Sequence, residues 1–227
     1  MEHLILLHGA IGAKDQLEPL AEKLKNKYTI HTISFSGHGG EAMPETFGIE
    51  VFANDVLYYL KQNNISKTNI FGYSMGGYVA LYLAKQYPEK INKVMTLATK
   101  FLWTPVIAQH EIKMLDADKI TEKLPAFAQT LAGRHQPGDW KIVLQKTIGM
   151  MTAMGNKNPL SLQDYETIEH PVMISIGDKD SMVTLEETTD VCRKLKNARL
   201  TVFPDTPHPI EKADPDKLVN EVIGFFK

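Results

Sequence analysis

The chain has 227 residues, of which 43% are apolar and 23% charged, and its formal net charge at pH 7 is −2. This composition is typical of a globular domain and argues against a disordered chain, and the near-neutral charge does not favour binding to nucleic acid or to an anionic membrane. The single cysteine, Cys192, excludes an internal disulfide and a multi-cysteine metal cage, and we expect it to serve in packing.

No apolar run approaches the ~18 residues that indicate a membrane span. The first residues lack the basic region and the small-residue cleavage site of a signal peptide. We therefore expect a cytoplasmic protein.

Short apolar or β-branched runs alternate with longer amphipathic stretches along most of the chain. The runs predict strands at residues 4–7, 28–35, 69–73, 94–98, 172–176 and 200–203. Apolar residues at helical spacing predict helices at residues 17–25, 49–63, 78–87, 186–196 and 216–226. This alternation is typical of βαβ units and predicts a mostly parallel sheet with helices on both faces.

Residues 101–168 break this rhythm, because they contain several amphipathic helical stretches and no convincing strand. The segment contains both tryptophans, Trp103 and Trp140, and several methionines, Met150 among them. We interpret it as a helical insertion into an α/β domain. It is either a small subdomain with an ordinary core or a lid that faces the substrate, since Met and aromatic side chains suit adaptable apolar binding surfaces.

The sequence Gly72-Tyr73-Ser74-Met75-Gly76 matches the G-x-S-x-G nucleophile elbow. It lies between a predicted strand and a predicted helix, which is the setting in which a sharp turn exposes a serine hydroxyl. The alternative is a glycine-rich βα turn that binds phosphate, but the dinucleotide fingerprint and the Gly-Lys-Ser/Thr of a P-loop are both absent.

A second glycine turn follows the first strand, at His8-Gly9-Ala10. Its position suits a backbone N–H donor from Ala10 that, with the N–H of Met75, would stabilise the oxyanion of a tetrahedral intermediate. His8 itself is expected to be a structural turn residue.

An acid and a base follow two later strands. Asp178 and Asp180 come after the strand at residues 172–176, and His208 comes after the strand at residues 200–203. A serine needs a base to take its proton, and the imidazole needs a carboxylate to fix its tautomer. His208 is the only histidine after the acidic loop, and the order Ser, Asp, His is that of one class of triad.

Taken together, these motifs resemble those of the α/β-hydrolase superfamily, in particular its serine-nucleophile, carboxylesterase-like members with a helical cap. Residues 36–40 also resemble the family's G-H-G loop, in which His38 is expected to be structural. The resemblance implies an α/β-hydrolase core at residues 1–100 and 169–227 and a cap at residues 101–168. The family's G-x-x-D pattern favours Asp180 over Asp178 as the triad acid.

The sequence departs from the family in two places. Only seven residues precede His8, so the usual N-terminal hairpin cannot form, and we predict a shortened sheet of about six strands. The strand at residues 28–35 would then lie at an exposed edge, where it could pair with the same strand of a second copy. Edge-to-edge dimerisation is therefore a hypothesis. The superfamily's menaquinone-pathway synthase has an arginine where this chain has Tyr78, which weakens the case for a dicarboxylate substrate.

We therefore predict a serine hydrolase that cleaves a small or medium uncharged ester or thioester, with Ser74 as nucleophile, His208 as base and Asp180 as its orienting acid. Two alternatives remain, a triad-retaining sensor with little turnover and a C–C bond hydrolase of the same superfamily. Tyr73, Trp103 and Met150 are candidate substrate contacts, and no metal or organic cofactor is implied. Further candidates, as anion contacts, are Lys100, Arg134 and His135, although such residues are more often on the solvated surface.

Overall fold

In the computed structural model, which describes residues 1–227, six parallel strands form one sheet. The order across the sheet is β2-β1-β3-β4-β5-β6. The strands are β1 (His3–Leu7), β2 (Thr29–Ile33), β3 (Thr68–Tyr73), β4 (Ile91–Leu97), β5 (Val172–Gly177) and β6 (Ala198–Phe203). The predicted shortened parallel sheet with a strand from residues 28–35 at its edge is confirmed.

Helices cover both faces of the sheet, because side chains along each buried strand point alternately to its two faces. In β1, Ile5 and Leu7 join one apolar core while Leu4 and Leu6 join the other. The helices are α1 (Glu18–Leu24), α2 (Ile49–Gln62), α3 (Met75–Gln86), α4 (Pro105–Glu111), α5 (Ala117–Lys123), α6 (Pro125–His135), α7 (Trp140–Asn156), α8 (Leu185–Lys194) and α9 (Pro215–Phe226). Helices α2, α3 and α8 contribute to the first core, and α1 and α9 to the second.

The four helices α4 to α7 lie between β4 and β5, and the segment contains no strand, as predicted. Side-chain caps begin three of them, with Thr104, Asp116 and Asp139 accepting backbone N–H groups of the first turn. The segment has a small apolar cluster of its own. It also adds methionines of α7 to the main core, so the helical segment is packed onto the sheet domain.

Some predicted elements end elsewhere in the structure. Strand β2 stops at Ile33 because the N–H of Phe35 donates to the His8 ring (3.1 Å) instead of continuing a ladder. Helix α3 begins at Met75, three residues before the predicted start, directly after the turn at Ser74. The strand predicted at residues 200–203 from its apolar character forms β6, but β6 lies at the edge of the sheet, and its Leu200 and Val202 are exposed.

None of the helices has both the length and the apolar character needed to cross a membrane.

Candidate active site

Ser74 occupies a strained turn between the end of β3 and the start of α3. Its backbone has φ 51° and ψ −115°, a conformation that residues other than glycine rarely adopt. Two hydrogen bonds hold the turn: the Ser74 N–H donates to Leu97 O (2.8 Å) and the Thr99 hydroxyl donates to Ser74 O (3.0 Å). The strand–turn–helix setting inferred from the motif is therefore present.

The glycines beside Ser74 are required by close backbone packing. A Cβ placed on Gly76 would lie 2.3 Å from the carbonyl oxygen of Leu7 in β1, and one on Gly72 would lie 2.4 Å from the backbone of Gly76. Such distances are far inside van der Waals contact. The glycines allow α3 to start directly against β1 and β3, which places Ser74 next to the loop that follows β1.

A continuous hydrogen-bonded chain joins Ser74 to a histidine and an aspartate. The Ser74 Oγ lies 3.3 Å from Nε2 of His208, and Nδ1 of His208 lies 2.9 Å from Oδ2 of Asp180. The other oxygen of Asp180 accepts the N–H groups of Met182 (2.8 Å) and Val183 (2.9 Å). The ring of His208 is thus held with one nitrogen on the carboxylate and the other on the serine.

The environment of Asp180 favours its charged form. The side chain is only 1% exposed, and this burial alone would raise the pKa of the carboxyl group. The hydrogen bond and charge of His208, together with the two backbone donors, outweigh burial, so the pKa of Asp180 is lowered. Asp178 instead accepts the N–H of Thr206 (3.2 Å), so the structure places Asp180, not Asp178, against His208.

Two backbone donors adjoin the serine. Ala10 and Met75 line the same cavity as Ser74 and His208. Neither of their N–H groups donates a hydrogen bond to another group of the protein. They are free to stabilise a developing negative charge on a substrate oxygen.

The cavity at Ser74 is narrow, with a volume of about 40 Å³. Ten of its fourteen lining residues are apolar, which favours an uncharged group beside the serine. Besides Ser74, His208, Ala10 and Met75, the lining comprises Ile49, Tyr78, Lys100, Trp103, Glu111, Met150, Met151, Met154, Met182 and Val183. Trp103 and Met150 were among the candidate contacts, whereas the other apolar members carry no motif that would have identified them.

Tyr73 does not line this cavity. Its side chain is buried, and its hydroxyl donates to the backbone carbonyl of His208 (3.1 Å). Burial raises the pKa of the phenol above its ordinary value. Tyr73 therefore supports the loop that carries His208, and its assignment as a substrate contact is wrong for this structure.

The three candidate anion contacts lie in different places, and none of them is a fully solvated surface residue. Lys100 lines the cavity, whereas Arg134 forms an ion pair with Asp15 (2.9 Å) away from it. His135, only 1% exposed, accepts the Gly39 N–H at Nδ1 and donates from Nε2 to Ile11 O, both at 3.0 Å. Burial lowers the pKa of His135, so it stays neutral and bridges α6 to the loops after β1 and β2.

A family model for the alpha/beta hydrolase fold matches residues 2–139 of the chain. A Haemophilus influenzae protein described as an esterase/lipase is 31% identical, over 98% of this chain and 82% of the relative. The pimeloyl-[acyl-carrier protein] methyl ester esterase of Neisseria meningitidis is 23% identical, over 92% of this chain and 87% of the relative.

Solved structures show the same fold. The enol-lactonase from Burkholderia xenovorans superposes with a TM-score of 0.78 at 21% identity, covering 99% of this chain and 91% of that one. MenH from S. aureus superposes with a TM-score of 0.77 at 21% identity, covering 99% of this chain and 93% of that one. By its sequence match and its sheet topology, the chain belongs to the α/β-hydrolase fold family.

Proposed function

We propose that this α/β-hydrolase fold enzyme is a serine hydrolase that cleaves a small or medium uncharged ester or thioester. The observation that carries the proposal is the hydrogen-bonded chain from Ser74 through His208 to Asp180, which opens onto a mostly apolar cavity. The names of two relatives, an esterase/lipase and a methyl ester esterase, support ester cleavage.

In the first half of the reaction, Nε2 of His208 takes the proton of Ser74 while Oγ attacks the carbonyl carbon of the substrate. The carbonyl π electrons move to its oxygen, and the N–H groups of Ala10 and Met75 stabilise that charge. When the intermediate collapses, the bond to the leaving alcohol or thiol breaks. His208 returns the proton to that group, and an acyl-Ser74 ester remains.

In the second half, His208 takes a proton from water as the water oxygen attacks the acyl carbon. Collapse of the second tetrahedral intermediate breaks the bond to Ser74 Oγ, which receives the proton from His208, and the acid is released. Asp180 stabilises the imidazolium in both halves and holds Nδ1 in its protonated tautomer.

Residues 101–168 act in this proposal as a cap on a core formed by residues 1–100 and 169–227. Trp103, Glu111 and three methionines of the segment line the cavity, which supports that role. The cavity is small, and the three methionines are flexible enough to adjust to a bound substrate.

The proposal is tested by hydrolysis of p-nitrophenyl esters from acetate to decanoate, with wild type beside Ser74→Ala. Multiple turnovers that disappear in Ser74→Ala are expected, with a chain-length optimum that measures the cavity. Stoichiometric ligand binding without turnover would contradict the proposal and favour a sensor. Activity on vinylogous diketones with none on esters would favour a C–C bond hydrolase.

A further inference from the structure

Three charged side chains meet at the wall of the cavity, and the proposed reaction uses none of them. This charged cluster consists of Lys100, Glu111 and Glu187. The ammonium of Lys100 lies 3.5 Å from a carboxylate oxygen of Glu111 and 3.6 Å from one of Glu187. Their side chains are 11%, 8% and 4% exposed, so the cluster is almost fully removed from water.

Glu187 has a structural role that satisfies both of its oxygens. One oxygen accepts the N–H groups of Phe101 (2.9 Å) and Leu102 (3.3 Å). The other accepts the N–H and hydroxyl of Thr184 (3.2 and 3.1 Å) in the capping box of α8. It therefore has no acceptor capacity left that a substrate would need.

Glu111 differs, because its carboxylate makes no hydrogen bond at all. The Lys100 ammonium lies 3.5 Å from one of its oxygens, and Nδ1 of His110 lies 3.6 Å from the same oxygen. The Glu111 side chain is 8% exposed, and its oxygens are not fully buried. Glu111 lines the same cavity as Ser74 and His208, so a bound substrate can supply a hydrogen-bond donor to this free acceptor.

Lys100 has N–H groups that make no hydrogen bond within the protein. It donates one hydrogen bond to the carbonyl of Met182 (2.7 Å), and an ammonium has three N–H groups. Lys100 lines the cavity beside Glu111, so the pair presents a donor and an acceptor next to each other in an otherwise mostly apolar space.

We infer that Lys100 and Glu111 bind a hydroxyl group of the substrate, which donates to Glu111 and accepts from Lys100. A substrate carboxylate would meet two carboxylates and a single cation. A substrate ammonium would find only Glu111 as an acceptor, because both oxygens of Glu187 are already satisfied, and it would lie against the Lys100 charge. A neutral group that both donates and accepts fits the pair better than either. The inference rests on the proposed function and deepens it, since it makes the substrate a hydroxyl-bearing ester.

Two ester pairs test the inference, each differing only in a hydroxyl against a methyl group. Methyl 6-hydroxyhexanoate against methyl heptanoate places the hydroxyl on the acyl side, and 4-hydroxybutyl acetate against pentyl acetate places it on the alcohol side. We expect kcat/KM to favour the hydroxyl ester about tenfold or more in one pair. Equal or lower values for the hydroxyl ester in both pairs would overturn the inference.

Substitutions then connect the preference to Glu111. Glu111→Leu is expected to lower the hydroxyl-to-methyl ratio of kcat/KM to about one, and the nearly isosteric Glu111→Gln to lower it severalfold, because a hydrogen bond to a neutral acceptor is weaker. The control Glu122→Leu, at an exposed site of α5, should retain the wild-type ratio. An unchanged ratio in Glu111→Gln would refute the assignment even if the leucine variant failed to fold.

The outcome also separates this inference from the proposed function. Hydrolysis of p-nitrophenyl acetate without any hydroxyl preference would leave the serine hydrolase standing and remove only the hydroxyl site. Failure of wild type to hydrolyse any of these esters, p-nitrophenyl acetate included, would overturn both.

Discussion

Mild acid is expected to destabilise the protein steeply, because histidines are buried in their neutral form beneath the active-site loops, foremost His8 and His38. His8 is fully buried, donates from Nδ1 to Gly9 O (2.8 Å) and accepts the Phe35 N–H at Nε2 (3.1 Å). Protonation of Nε2 would break the bond to Phe35. Burial lowers the pKa of His8 from 6.5 to about 3. Burial, with the neighbouring His8, also lowers the pKa of His38 well below 6.5.

The size of the effect follows from proton linkage. Below pH 6.5 each of these histidines is protonated in the unfolded chain but stays neutral in the folded protein, so the unfolded state binds more protons. The free energy of unfolding therefore falls as the pH falls, by about 1.4 kcal/mol per pH unit for each histidine. For His8, whose pKa in the folded protein is about 3, two pH units below 6.5 remove roughly 3 kcal/mol, and His38 adds to this loss. Whole domains are stable by only about 5–15 kcal/mol, so the effect is large.

Urea unfolding followed by circular dichroism between pH 6 and pH 5, with pH 7.5 as the reference, measures this slope. His38→Phe is the informative variant, because His38 stacks on Phe47 with ring centroids 5.2 Å apart and its Nε2 has no hydrogen-bond partner. Its slope should be smaller by about 1.4 kcal/mol per pH unit. The control His110→Phe changes an exposed histidine and should keep the wild-type slope. Identical slopes for wild type and His38→Phe would refute the reasoning.

Three further substitutions test the site. Asp180→Asn should lower kcat on p-nitrophenyl butyrate about 10³-fold to 10⁴-fold, because the amide cannot stabilise the imidazolium of His208; near-normal turnover would exclude Asp180 as the orienting acid. Gly76→Ala should lower stability by more than about 2 kcal/mol in urea unfolding, since its Cβ would lie 2.3 Å from Leu7 O; wild-type stability would show that the elbow can shift. His135→Ala should cost about 2–4 kcal/mol by leaving Gly39 N–H and Ile11 O without their 3.0 Å partners; an unchanged urea midpoint would contradict the bridging role.

The positions of the strands along the chain and those of Ser74, Asp180 and His208 could be predicted because each depends on local sequence. A strand followed by a glycine turn and a helix has a characteristic pattern, and the ends of parallel strands gather at one edge of the sheet. The structure brings these three residues together at that edge.

The cavity wall could not be predicted, because it depends on how the helices of residues 101–168 lie over the sheet. Helical spacing shows which face of α4 is apolar, but not that Glu111 would come within 3.5 Å of Lys100. His135 looked like a surface residue for the same reason, since only the packing of α6 on two distant loops buries it. Tyr73 was misassigned because alternation along β3 places it beside Ser74 without showing that its hydroxyl reaches the His208 backbone.

The most direct test of the account is the intact mass of the protein after reaction with a fluorophosphonate, which traps an activated serine as a stable phosphonyl ester. We expect one equivalent to be added to wild type, peptide mapping to place it on Ser74, and Ser74→Ala to remain unlabelled. Labelling at another residue, or none in folded wild type, would contradict the assignment of Ser74 as the nucleophile.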